Sequence, residues 1–116
     1  VATHTLPPLT ALPRLREFYN PTVDYYGTTQ SLAAVISDKR DYFDRWPQRK
    51  YRILPSTIAV DCSGGEFCTV TGVYSWAVRS EPRRLEAAGT ASFEYAFSRS
   101  APYRVLKETS EVIKRQ

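Results

Sequence analysis

The stretch that most constrains the fold is Ser31 to Trp46, SLAAVISDKRDYFDRW. Leu32, Val35, Ile36, Phe43 and Trp46 recur at helical spacing and make one apolar stripe. Pro47 closes the segment, because the residue before a proline is pushed out of helical geometry. Lys39 falls near the middle of the stripe. A lysine there either snorkels along the helix to water or finds a carboxylate inside, Glu108 being one such partner. The functional reading of the same ammonium is a cavity cation for an anionic or carbonyl-bearing ligand.

After Pro47 the pattern changes to the two-residue period of strands. Lys50 to Cys62 reads as a long strand bulged near Pro55, since proline cannot donate to a central ladder. A Gly64-Gly65 turn leads to a second strand over Phe67 to Arg79. There Cys68, Val70, Gly72, Tyr74, Trp76 and Val78 share one face, and Thr69, Thr71, Val73, Ser75 and Ala77 the other. Ser80 to Arg83 is a loop. Leu85 to Ser98 is a third strand, with Phe93, Tyr95 and Phe97 on its aromatic face and Glu94 on the opposite one. Tyr103 to Lys114, after a turn over Ser100 to Pro102, is the last strand, bulged near Thr109-Ser110. Ahead of the long helix, residues 1–9 are an extended lead-in. Thr10 to Tyr19 is a short helix with Leu12, Leu15, Phe18 and Tyr19 towards the core. Thr22 to Tyr26 is a brief strand with Asp24 and Tyr26 facing away from Val23 and Tyr25, and Thr28 to Gln30 is a connector.

The ring-rich side of the sheet has to meet the helix, and Gly72 and Gly89 leave room there. Trp46, Tyr51, Tyr74, Trp76, Phe93 and Tyr95, with Tyr25 and Lys39, are the candidate lining of a pocket for a flat apolar ligand. The alternative is that these rings are plain core. The other face is made of small, mild residues. Such a face can lie against a copy of itself, which predicts a homodimer through the sheet.

At 116 residues the chain holds one core and one domain, over 10–116. Its two cysteines, Cys62 and Cys68, sit at the feet of a hairpin, where a disulfide is geometrically reasonable and points to a periplasmic or secreted protein. Met is absent, position 1 included, so a processed or excised chain is expected. No apolar run approaches the roughly 20 residues of a membrane span. The net charge of +4 comes from basic residues interleaved with acids, and the cluster Arg45, Arg49, Lys50 and Arg52 lacks any nucleic-acid motif. It reads as a solvated rim. A lone cysteine pair and a single histidine, His4, leave no metal site.

The order of elements resembles the nuclear transport factor 2-like superfamily, the cystatin-like cone shared by SnoaL-like polyketide cyclases and ketosteroid-isomerase-like proteins. FYNPTVDYYG at Phe18 to Gly27, SDKRDYFDRWPQRKY at Ser37 to Tyr51 and EYAF at Glu94 to Phe97 carry the resemblance. The second block looks like uncharacterised bacterial exported members. The resemblance implies an α+β cone, a curved antiparallel sheet wrapped around the long helix with a hollow end. Catalytic cones use Asp, Tyr or His in the hollow. His4 lies outside the core, so acid–base chemistry here would rest on Asp24, Asp61 or Glu94 with Tyr partners. Asp24 and Glu94 point the wrong way. The expected role is therefore a non-catalytic module, without cofactor, that binds a small apolar or weakly anionic molecule in the cavity or mediates dimerisation or partner docking. The alternative is a cofactor-free isomerase, cyclase or dehydratase.

Overall fold

Ser31 starts the long helix by capping it: its Oγ accepts from the Ala34 amide at 3.1 Å. In the computed structural model, which describes residues 18–63, 65–100 and 103–116, helix α1 runs Leu32–Arg45. Pro47 stops it, and Arg83 donates to the exposed carbonyls of Asp44 and Arg45 at 3.0 and 3.3 Å. Val35, Ile36, Lys39 and Phe43 are its buried residues, so the stripe read from the sequence is the face that packs.

The strands are β1 Tyr19–Tyr25, β2 Thr28–Ser31, β3 Gln48–Ile53, β4 Ala59–Asp61, β5 Phe67–Ser80, β6 Leu85–Ser98 and β7 Val105–Arg115. They form one curved, unclosed sheet in the order β2-β1-β7-β6-β5-β3, with β4 also pairing β5. The cone architecture is as expected. The long strands β5, β6 and β7 pair antiparallel, whereas β1 joins β7 in parallel, a contact that the two-residue period does not reveal.

Several local expectations are corrected. The predicted lead-in and most of the predicted first helix lie outside the described residues, as do Gly64, Ala101 and Pro102 in the predicted turns. Of that helix's last residues, Tyr19 is buried but begins β1, and Phe18 is 44% exposed. Thr28 to Gln30 is no connector: it forms β2, hairpinned to β1 through Tyr26 and Gly27 at φ 52° and 84°. Two successive positive φ values give the turn whose twist matches a two-residue hairpin. Pro55 does not bulge one long strand but splits it, with a 3₁₀ turn Pro55–Thr57 between β3 and β4. In β7 the register shifts skip Leu106 and Ile113 rather than Thr109-Ser110.

The fully packed cluster is small: Tyr19, Val23, Val35, Ile36 and Phe43. Arg49 is buried too, its guanidinium 4.0 Å from the centre of the Phe43 ring and donating to the Trp46 carbonyl at 2.9 Å. It is thus no part of a solvated rim. Cys62 and Cys68 are joined in a disulfide that ties the end of β4 to β5.

Candidate functional site

The ring-rich face of the sheet is not packed solid against α1. A cavity of about 530 Å³ opens between them, within the size range of small-molecule sites. Tyr25, Lys39, Trp46 and Tyr51 line it, and so do Tyr74, Trp76, Phe93 and Tyr95. Every residue proposed from the sequence as pocket lining is therefore brought to one place. Alternation along β5 and β6 delivers the sheet residues, and Tyr51 sits opposite Trp76 in the β3–β5 register. The rings stack in a chain, Tyr51–Tyr74–Phe93–Tyr95, with successive centroids 5.9, 5.9 and 5.8 Å apart.

Lys39 reaches the wall of this cavity from α1 and is 4% exposed. Its Nζ lies 2.8 Å from Oε2 of Glu108 on β7. The other carboxylate oxygen of Glu108 accepts from the Tyr19 hydroxyl. Lys39 also lies over the Tyr19 and Tyr25 rings at 5.7 and 5.6 Å. Both oxygens of Glu108 are thus occupied, and the partner suggested by the sequence is the one Lys39 takes.

Asp38, one residue before Lys39, accepts a hydrogen bond from the Tyr25 hydroxyl at 2.5 Å and also lines the cavity. The Tyr42 and Tyr51 hydroxyls bond each other, and Tyr26 bonds Ser110 at 3.1 Å. Burial pushes the phenols of Tyr19 and Tyr95 well above their ordinary value, and Glu108 adds to both. Burial also raises Tyr25, reinforced by its bond to Asp38, and Tyr51, reinforced by Tyr42. Tyr26 is pushed up to about 12 by burial, with the charge of Glu108 second. These hydroxyls stay neutral at ordinary pH and act as hydrogen-bond donors, not bases.

The carboxylates weighed as acids or bases from the sequence are not at the site. Asp24 lies outside the cavity, and Glu94 is paired outside it with Lys107 at 2.6 Å. Asp61 is exposed and held by the Ser63 hydroxyl and amide, whose bonds lower its pKa. The acids that do line the cavity are Asp38, Asp41 and Glu108. Asp38 and Asp41 escaped the sequence reading because they sit among Lys39, Arg40 and Arg45 and look like a solvated helix face. Tyr26 was assigned to the outer side, but its positive φ turns it back beside Tyr25, ring centroids 4.7 Å apart. Among the described residues no group of three His, Cys, Asp or Glu is placed to share a metal ion.

Solved structures share this architecture. An uncharacterised cystatin-like protein from Caulobacter vibrioides superposes with a TM-score of 0.73 at 10% identity, over 92% of this chain and 79% of that one. A hexachlorocyclohexane dehydrochlorinase from Novosphingobium barchaimii gives 0.73 at 9% identity, over 90% and 75%. A protein from Xanthomonas campestris, provisionally described as a calcium/calmodulin-dependent protein kinase II association domain, gives 0.66 at 13%, over 97% and 76%. No family model matches the sequence, and no curated relative does. At these identities the likeness establishes the fold alone: it is that of the nuclear transport factor 2-like and cystatin-like proteins.

Proposed function

We propose that this nuclear transport factor 2-like cone binds a small, flat, largely apolar molecule in the cavity between α1 and the sheet. The observation that carries the reading is the open space itself. Trp46, Tyr74, Trp76 and Phe93 wall a volume of about 530 Å³ instead of filling it. Neutral hydroxyls at Tyr25, Tyr26 and Ser110 supply the few polar contacts that orient a ligand in such a site. Lys39, Tyr51 and Tyr95 complete the wall. Saturation-transfer NMR with indole and 2-naphthol tests this. Both probes are expected to receive saturation from the protein and to lose it in Ala87→Phe, which fills the cavity from β6. Absence of transfer in the wild type at millimolar probe would remove the proposal.

A second reading is supported by the Tyr25–Asp38 hydrogen bond at the cavity wall. Asp38 is exposed to the cavity and keeps a carboxylate oxygen for a substrate proton, with Tyr25 holding it in place and the Tyr26 hydroxyl, when Ser110 donates to it, as donor to a developing oxyanion. Loss of deuterium incorporation into cyclic ketones in Asp38→Asn, with retained binding, would favour this enzyme over a binder. The dehydrochlorinase fold neighbour shows that such a cone can house an enzyme.

Two further elements belong to the proposal. Pairing of two copies through the outer sheet face is supported by its small residues, where Val73 meets Ser92, Ser75 meets Thr90 and Ala77 meets Ala88. Light scattering at micromolar concentration is expected to give twice the chain mass, and a monomer would dismiss it. An oxidising compartment, periplasmic or extracellular, is supported by the Cys62–Cys68 disulfide. Among the described residues no helix is long and apolar enough to cross a membrane.

A further inference from the structure

The charge in the cavity is not spread evenly. At one end Tyr25 donates to Asp38 at 2.5 Å and Lys39 is neutralised by Glu108 at 2.8 Å. At the other stand two arginines that line the same cavity, Arg45 in the last turn of α1 and Arg115 at the end of β7. Neither forms an ion pair with an acid among the described residues. Each lies instead over a tryptophan of the cavity wall, Arg45 over Trp46 at 5.6 Å and Arg115 over Trp76 at 5.9 Å. The sheet makes the second pair: Trp76 and Arg115 both pair with Gly89, from opposite sides. A Cβ on Gly89 would stand 2.9 Å from the Trp76 ring, so the indole occupies the space that glycine leaves. The acids of α1 that line the cavity, Asp38 and Asp41, lie two turns and one turn back from Arg45. That puts Asp38 about 10 Å from Arg45 along the helix axis.

We infer that the arginine–tryptophan end receives the anionic head of the ligand, and that the ligand class is a flat apolar carboxylate. The inference rests on the reading of the cavity as a small-molecule site and names what fills it. A guanidinium matches a carboxylate with two parallel N–H donors, and one held over an indole keeps donors for that purpose. The aromatic body then lies along Tyr74 and Phe93, and its far edge meets the hydroxyls of Tyr25, Tyr26 and Ser110. Lys39 is not the anion receptor, because Glu108 already neutralises it. Both arginines are exposed, so a charged head meets them without being stripped of all its water.

Isothermal titration calorimetry with 2-naphthoate and 2-naphthamide tests this, since the two share shape and differ in charge. In the wild type, naphthoate is expected to bind about tenfold tighter than the amide, the worth of a partly screened charge-assisted contact. In Arg45→Gln/Arg115→Gln that advantage disappears while amide affinity is unchanged, which also shows the variant is folded. Raising the ionic strength of the wild type weakens naphthoate and leaves the amide alone. Equal wild-type affinities, or an advantage that survives both substitutions, overturn the inference while amide binding leaves the cavity reading standing. If neither molecule binds, both fall.

Discussion

Replacing Lys39 with methionine leaves Glu108 buried without its counter-charge, and the cost can be worked from the geometry. Both side chains of the pair are 5% exposed and their charged atoms are 2.8 Å apart. Glu108 would keep only one of its two described partners, the Tyr19 hydroxyl. Removing one member of such a pair costs about 3–5 kcal/mol. That is a large share of the roughly 5–15 kcal/mol that holds a domain together. At roughly 4 °C per kcal/mol for a chain of this size, the melting temperature should fall by about 12–20 °C. The double variant Lys39→Met/Glu108→Leu removes both charges and fills the space with apolar atoms, so it should recover most of the loss. Urea unfolding followed by circular dichroism measures all three proteins. A single variant as stable as the wild type at pH 7, or a double variant no better than the single, would refute the claim that the pair is buried and mutually dependent.

Four other outcomes follow from the same structure. Burial raises the phenols of Tyr19, Tyr25, Tyr26, Tyr42, Tyr51, Tyr74 and Tyr95 above their ordinary value of 10.0, so the fold favours their neutral forms. The stabilisation is full below pH 10.0 and is lost as the pH climbs through the folded values, about 12 for Tyr26. Tyrosinate absorbance should therefore rise late and together with unfolding, not before it. Gly89→Ala should cost more than Gly72→Ala and shift Trp76 fluorescence, as its Cβ meets the Lys114 backbone oxygen, whereas that of Gly72 meets the ring of Phe93 and the tip of Ile58. Tyr19→Phe should cost about 1–3 kcal/mol in urea unfolding by leaving one Glu108 oxygen without its donor. Replacing both cysteines with serine should cost about 2 kcal/mol by the loop-closure argument, with no effect on the cavity probes.

The parts of the fold legible in the sequence are those with one dominant local signal. The helix announces itself by its apolar stripe, Ser31 and Pro47. Phe67–Ser80 and Leu85–Ser98 announce themselves by alternation, which also put Tyr74 and Trp76 on one side of the first and Phe93 and Tyr95 on one side of the second. The hairpin of β1 and β2 was hidden because a tyrosine, not a glycine, takes the first left-handed position of its turn. The parallel contact of β1 with β7 joins segments more than eighty residues apart and leaves no mark on local periodicity. At the site, the rings of the sheet were readable because each follows from strand parity, and Trp46 because it continues the helix's apolar stripe. Asp38, Arg45 and Arg115 were not, since a charged residue beside other charged residues looks the same whether it faces bulk water or a cavity mouth.

The Lys39–Glu108–Tyr19 cluster has a consequence in time as well as in energy. Its two bonds span 69 and 89 positions of the chain, so neither can form until the final strand has docked. Until then α1 carries a lysine on its apolar face without the carboxylate of Glu108, and the collapsed helix–hairpin half is penalised. Long-range closure of this kind slows folding. The barrier crossing should therefore await β7, and unfolding should begin by its release.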